Sequence, residues 1–367
     1  GSTVAGVGGA GGGVVRIEAS GAVTLHGTVS ARGKPPPAVV GAGSGGSIFI
    51  TCRTLAGGGT VSANGGTSGN IYSGGGGGGR IAVIYDSAAQ AALPTTALTF
   101  DANGGRGGDL GTLYFPDNAF LTTPMRHCGQ WLAPGLTDWT CDSLAFSNAH
   151  LRIPVPGFAL GVAGGWTMTG AGDSRTYGLQ VTNAQIACGG GIVLAGCTMR
   201  LTTDGETAPS LTAGRDLSLQ KAGTMASALY LHAAKTNGGS RNCGLPVTVG
   251  GTFTIATNCT VYPYSHGTDG GSVHFTVGSL CLEAGGLIDA NAKGYNGGKG
   301  PGASLSQAGA SYGGRGAGGG KDPYGCKEWP QDPGSGGNAT LAAIRGGGLV
   351  TIEAAARMRI DGTIRTT

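Results

Sequence analysis

Between Thr260 and Phe275 the chain reads TVYPYSHGTDGGSVHF. Tyr262, Tyr264, His266 and Asp269 there place two phenols beside an imidazole and a carboxylate. Such a set could hold a sugar ring or a cation, and an imidazole next to a carboxylate could move a proton. His274 follows in an alternating stretch. It would point to the face opposite Val273 and Phe275, away from whatever those two pack against. The candidate ligand-binding residues are therefore Tyr262, Tyr264, His266 and Asp269.

Other stretches carry weaker chemistry. Asp101 and Asp109 flank Arg106 in DANGGRGGD. Paired carboxylates are what glycoside hydrolysis needs, but the Asn and Gly residues around these two read as turns. RHCGQW and LTDWTCD bring His127, Trp131, Asp138 and Trp139 close in sequence to Cys128 and Cys141. That pattern reads as a disulfide staple with packed tryptophans, or as an aromatic platform for carbohydrate. The nucleophile elbow, the phosphate loop, the HExxH helix and the calcium-binding loop are absent, and GGGGGGR lacks the Lys-Ser/Thr of a phosphate loop. No catalytic residue and no cofactor are expected. No metal ligands stand out, and the residues point to a structural protein rather than an enzyme.

The chain has nine cysteines and no CxxC, so the common zinc and thioredoxin spacings are missing. Disulfides in an oxidising compartment are the expectation, with Cys128–Cys141, Cys188–Cys197 and Cys243–Cys259 as candidate pairs by proximity in sequence. Two glycosylation sequons occur, at Asn258 and Asn338. The opening GST reads as a processed or engineered N-terminus that leaves room for a removed leader.

What must position these groups is a glycine-rich, weakly charged chain. Glycine accounts for 78 of 367 residues without a collagen period, charged residues for 11%, and the net charge is +4. Singly scattered Lys and Arg give no dense basic patch, so nucleic acid is not an expected partner. No apolar run is long enough for a transmembrane helix, and no membrane insertion is expected. At 40% hydrophobic residues, recurring in runs such as GGSIFIT, RIAVIY and GGSVHFTV, the chain can bury a core.

Those runs share a grammar: a glycine pair, an alternating strand, a short turn and a second alternating strand. Period-two alternation marks half-buried strands. A repeat of about 22 residues built this way predicts one coil of a parallel β-solenoid. The expected fold is thus all-β, with glycine-rich flank loops. SAAQAAL, from Ser87, is the one short helix expected. Residues 1–112 read as N-terminal coils with glycine-rich insertions, 113–250 as central coils rich in Cys and Trp, and 251–367 as C-terminal coils with a long glycine-rich insertion, all in one continuous solenoid. The glycine runs admit three readings: flexible linker, ordered loops packed on the solenoid, or close-packed extended polyglycine.

Taken in order, YPYSHGTDGGSV, GGLIDANAKGYNGGKGPGAS and GGGLVTIEAAARMRIDGTI near the C-terminus, then GGGVVRIEASGAVTLHGTVSARG, GSGGSIFIT and GGGGGGRIA near the N-terminus, resemble one long block. That block resembles large secreted glycine-rich β-helix surface proteins of the Verrucomicrobia-like bacterial type, with relatives in eukaryotic microbes. The resemblance covers residues 5–105 and 255–367. It implies a secreted, extracellular or cell-surface β-solenoid and no catalytic residues. The first and last coils carry the same words, with Gly13 matching Gly348. Two explanations fit: a fragment of a giant tandem protein, or a subunit whose last coil stacks under the first coil of its neighbour, which would form a filament because head-to-tail contacts generate open assemblies. The expectation is an extracellular structural subunit that self-associates head to tail. The alternative is a glycan-binding adhesin or a β-helix carbohydrate-active enzyme.

Overall fold

A computed structural model describes residues 8–36, 40–69, 72–171, 176–236, 242–304, 308–318, 320–337 and 344–367. Their regular structure is almost entirely β-strand, and every pairing between strands given below is parallel. Contacts divide the chain into two interleaved units. One comprises Gly1–Thr137, Ala145–Pro154 and Thr169–Leu179, and the other Asp138–Leu144, Val155–Met168 and Gln180–Thr367.

In the second unit the chain repeats a rung of three short strands, as in Thr198–Thr202, Ser210–Ala213 and Leu217–Gln220. Each rung lies in register on the previous one. Leu160 pairs with Ile186, then Leu211, Val247, Phe275 and Ile352. On the next face the column is Ile192, Leu217, Phe253, Leu280 and Met358. On the third it is Met199, Leu229, Val261, Ile288 and Ile364. Alternation in each strand sends these residues inward and their neighbours outward. A single rung could not shield such a row, so the stack is what buries it. The corners are tight. Asn183 and Asn258 take left-handed backbone there (φ 51° and 65°), which Asn tolerates better than most residues.

In the first unit Val14–Glu18 pairs with Ser47–Thr51, which pairs with Arg80–Ile84, and Thr28–Ser30 pairs with Thr60–Ser62 and then Thr99–Asp101. The helix Ser87–Ala91 is capped by the Asp86 side chain, and its buried Gln90 bonds both the amide and the carbonyl of Leu55. Phe100, Phe115, Phe120 and Trp131 pack around His127, with Phe115 stacked on Trp131 at 4.5 Å.

The glycine runs of this unit carry a different order. Gly9 and Gly12 donate to the carbonyls of Gly41 and Ser44, Ala42 and Gly45 to those of Gly74 and Gly77, and Gly75 and Gly78 to those of Arg106 and Asp109. Donors and acceptors both recur every third residue. That is the period of polyproline-II-type backbone, which makes no hydrogen bonds within itself. A second set of bonds zigzags between layers, from Lys34 to Ala10, Gly43 to Lys34, Gly66 to Gly43, Gly76 to Gly66 and Gly105 to Gly76. Extended strands packed this closely leave no space for Cβ. One added at Gly76 would collide with the Gly43 carbonyl, and one at Gly43 with that of Ala10. Of the three readings of these runs, close-packed polyglycine describes them.

The expected disulfides are absent: no cysteine is joined to another. Cys188 closes the strand Gln185–Cys188 while Cys197 lies beyond Ile192–Ala195. Cys243 opens the strand Cys243–Ile255 and Cys259 follows its far end. Whole strands therefore separate the members of those pairs. Cys128 Sγ instead donates to the Asn148 carbonyl and Cys188 Sγ to that of Gly164. Cys141, the other expected partner, is half-buried with a free thiol. Burial pushes the Cys197 thiol up to about 12. In this fold most of these residues serve as small apolar side chains.

Candidate ligand-binding site

The outward face of one sheet in the second unit gathers aromatic and cationic side chains. Thr198–Thr202, Ala228–His232 and Thr260–Tyr264 lie side by side in register, so Arg200 faces Tyr230, Tyr230 faces Tyr262, and His232 faces Tyr264. Inward-pointing Leu229, Leu231 and Val261 are fully buried and hold the backbone, so the outward rings have little choice but to stack. Tyr230 and Tyr262 stack at 4.6 Å, and His232 and Tyr264 at 4.2 Å with planes 6° apart.

Cations take positions over these rings. The Arg200 guanidinium lies 4.0 Å from the Tyr230 centroid. Lys293 Nζ lies 5.2 Å from Tyr262 and 5.0 Å from Tyr264, and Arg345 lies 5.9 Å from Tyr264. These distances suit cation–π attraction, which strengthens as water is removed. Arg345 also donates to the carbonyls of Gly294 and Ser265, tying a glycine run to the corner after Tyr264. Lys293 donates to the Asn291 carbonyl, and burial lowers its ammonium from the usual value. Among the described residues no ion pair joins Arg200, Lys293 or Arg345 to a carboxylate. The His232 imidazole is held down to about 4, chiefly by burial and then by the positive charges of Arg200, Arg345 and Lys293, and its buried Nε2 has no hydrogen-bond partner among the described residues.

Beside this row opens a cleft of about 340 Å³, with Thr202, His232, Tyr264, His266, Asn296 and Arg345 among its walls. Tyr262 and Tyr264 thus belong to the stacked row, and His266 lines the cleft. Asp269 does not enter it: its carboxylate accepts from the Thr236 amide, and its carbonyl accepts from the Tyr295 hydroxyl. His266 Nδ1 accepts from the Asp269 amide, so the two close their own turn. His274 points outward but is covered, 3.5 Å from Glu353. Sequence reasoning missed Arg200, Tyr230, His232, Lys293 and Arg345. The only signal was an aromatic or basic residue at the outward positions of TMRLT and ALYLH.

The remaining sequence candidates have structural partners. Asp101 accepts from the Asn64 amide side chain and the Asn103 backbone, while Asp109 receives both arms of the Arg152 guanidinium at 2.7 and 3.0 Å. Arg152 thereby holds the Asp109 carboxyl below its usual range. His127 is fully enclosed: its Nδ1 accepts from the Phe100 amide and its Nε2 donates to the Phe120 carbonyl. Trp131 and Trp139 are buried and offer no exposed platform. Among the described residues no group of three or more His, Cys, Asp or Glu is placed to hold a metal ion. Asn258 stands exposed at its corner, while Asn338 lies outside the described residues.

The chain matches no protein-family model, no curated protein and no solved structure. What it does must be argued from its own geometry. No described helix is long and apolar enough to cross a membrane.

Proposed function

We propose that the chain is an extracellular structural protein, a β-solenoid subunit of a fibre or matrix that assembles by stacking end rungs. One observation carries this reading: the terminal rungs repeat one pattern and both leave apolar surface open. Val15 and Ile17 are only half-buried and Met358 and Ile360 are 43% and 51% exposed, whereas Ile48 and Ile50, one rung inward from the first two, and Leu280 and Leu282, one rung inward from the last two, are at most 1% exposed. Among the described residues, Val14–Glu18 and Val350–Ile360 each pair with one strand. Unpaired parallel edges of this kind invite further strands. A like rung from another copy would extend the same columns. The motif resemblance to secreted glycine-rich surface proteins is a second support, and glycine runs packed against the stack would form its flank.

Electron microscopy of the untagged protein over a concentration series tests this. Regular filaments are expected, together with their loss in an Ile17→Lys, Ile360→Lys double variant. A protein that stays monomeric at high concentration, with both edges wild type, would exclude the reading.

The row of stacked rings and its cleft favour a second reading, glycan binding from the wall of such an assembly. Polar groups converging on a concave site are what a small ligand needs.

A further inference from the structure

The glycan-binding reading can be narrowed by asking which surfaces remain free. Neutral sugars are commonly held by an open aromatic face, and here the faces are taken. Tyr230 lies between Arg200 and Tyr262, and Tyr264 between His232 and the cations Lys293 and Arg345. What the cleft offers instead is positive charge bonded to neutral carbonyls: Arg345 donates to Ser265 and Gly294, and Lys293 to Asn291. His232 feels Arg200, Arg345 and Lys293 and no carboxylate. The acids nearby have other partners: Asp289 is bonded to Arg365 at 3.0 Å and is the carboxylate that acts on Lys293, Glu206 pairs with Lys235, Asp269 with the Thr236 amide, and Asp204, itself on the cleft wall, with the amides of Glu206 and Thr207. A half-buried cation bonded to neutral carbonyls still carries much of its charge uncompensated, which is costly. An incoming oxyanion would relieve them with charge-assisted bonds, for which guanidinium is well shaped.

We infer that the cleft bounded by His232, Tyr264, Asn296 and Arg345 binds the anionic group of an acidic sugar, the carboxylate of a uronate or a sugar sulfate. This inference rests on the glycan-binding reading and specifies its ligand class. Arg345 and Arg200 supply charge, and Asn296 a neutral donor for a neighbouring hydroxyl. The stacked tyrosines form a rigid floor rather than a platform.

Calorimetric titration of the full chain at low ionic strength, with a galacturonic acid trimer, a sulfated galactose trimer and the neutral galactose trimer, tests the inference. At least one acidic trimer should bind ten-fold or more tighter than the neutral one, and binding should weaken as salt is added. The Arg200→Gln variant, which removes a side chain stacked only on Tyr230, should lose about five-fold in affinity. Arg345→Gln should lose more, and Arg345→Lys should recover part of the loss. Acidic ligand should also raise the His232 pKa seen by NMR, a readout that a merely structural role for the arginines would not move. Equal binding of acidic and neutral trimers would overturn the acidic preference and leave glycan binding standing. Absence of binding by all three would overturn both. Acidic binding unchanged in both Gln variants would place the site elsewhere and overturn the assignment. Inorganic sulfate that competes as well as the sulfated trimer on a per-mole basis would reduce the site to one for free anions and overturn the sugar.

Discussion

At the scale of single residues, what a side chain may be is set by what lies one rung away. Gly76 and Gly77 are neighbours in one run, yet a Cβ at Gly76 meets the Gly43 carbonyl and one at Gly77 meets nothing within 4 Å. Gly76→Ala should cost about 1–3 kcal/mol or more through forced separation of the runs. Gly77→Ala should stay within about 0.5 kcal/mol of wild type. Thermal melts of the two variants check this, and equal effects would mean the runs are not packed as described. His127 sets a pH limit. Burial holds its imidazole down to about 4, well below an unfolded histidine near 6.5. The unfolded state therefore binds a proton in this interval that the folded state refuses. Stability from this group is complete above about pH 6.5 and is lost as pH falls toward 4, by up to roughly 3 kcal/mol. His150 and His232, also held down to about 4, act in the same direction. Denaturant titrations across pH 4–7 should show stability falling with acid, and less steeply in His127→Gln if that variant folds.

At the scale of elements, stability comes from columns rather than pairs. Leu219 sits between Leu194 and Ile255 and is fully buried. Leu219→Ala should cost about 2–5 kcal/mol, because its neighbours in register cannot collapse into the gap. Covalent staples contribute nothing here. Adding reductant should leave Tm unchanged, and nine thiols should titrate in denaturant; fewer than nine would reinstate a disulfide. Much of this scale was legible in advance. SIFIT and RIAVI alternate so regularly that strands in long parallel sheets followed from pattern alone, and SAAQA behind Asp86 carried its own cap. Three things were not legible, each for a physical reason. Proximity of cysteines in sequence says little when a whole strand separates each pair. The stacked row of Arg200, Tyr230 and Tyr262 comes from strands joined by loops of unequal length, so nothing in the spacing aligns them. The glycine runs have no side chains to alternate, and their period of three is written in backbone donors and acceptors that composition cannot reveal.

At the scale of the molecule, the proposed assembly and the proposed ligand make separable demands. Stacking draws on apolar end surface and should tolerate salt, because hydrophobic burial is not screened. Anionic ligand binding should weaken with ionic strength. A titration of sodium chloride followed by sedimentation and by calorimetry should therefore keep filaments while abolishing ligand affinity. Filaments that dissolve in about 0.5 M salt would shift the assembly from apolar columns to charged rims, since a Debye length at that strength is only a few ångströms.

The three-residue bonding period of the glycine runs also constrains how their length can change. A run such as 74–79 pairs with neighbours on two sides, at Ala42 and Gly45 on one and at Arg106 and Asp109 on the other. Insertion of one glycine turns every later donor a third of a revolution away from its acceptor, while insertion of three restores the phase. Families of such chains would then drift in length by threes, a reading frame kept by hydrogen bonds rather than by codons.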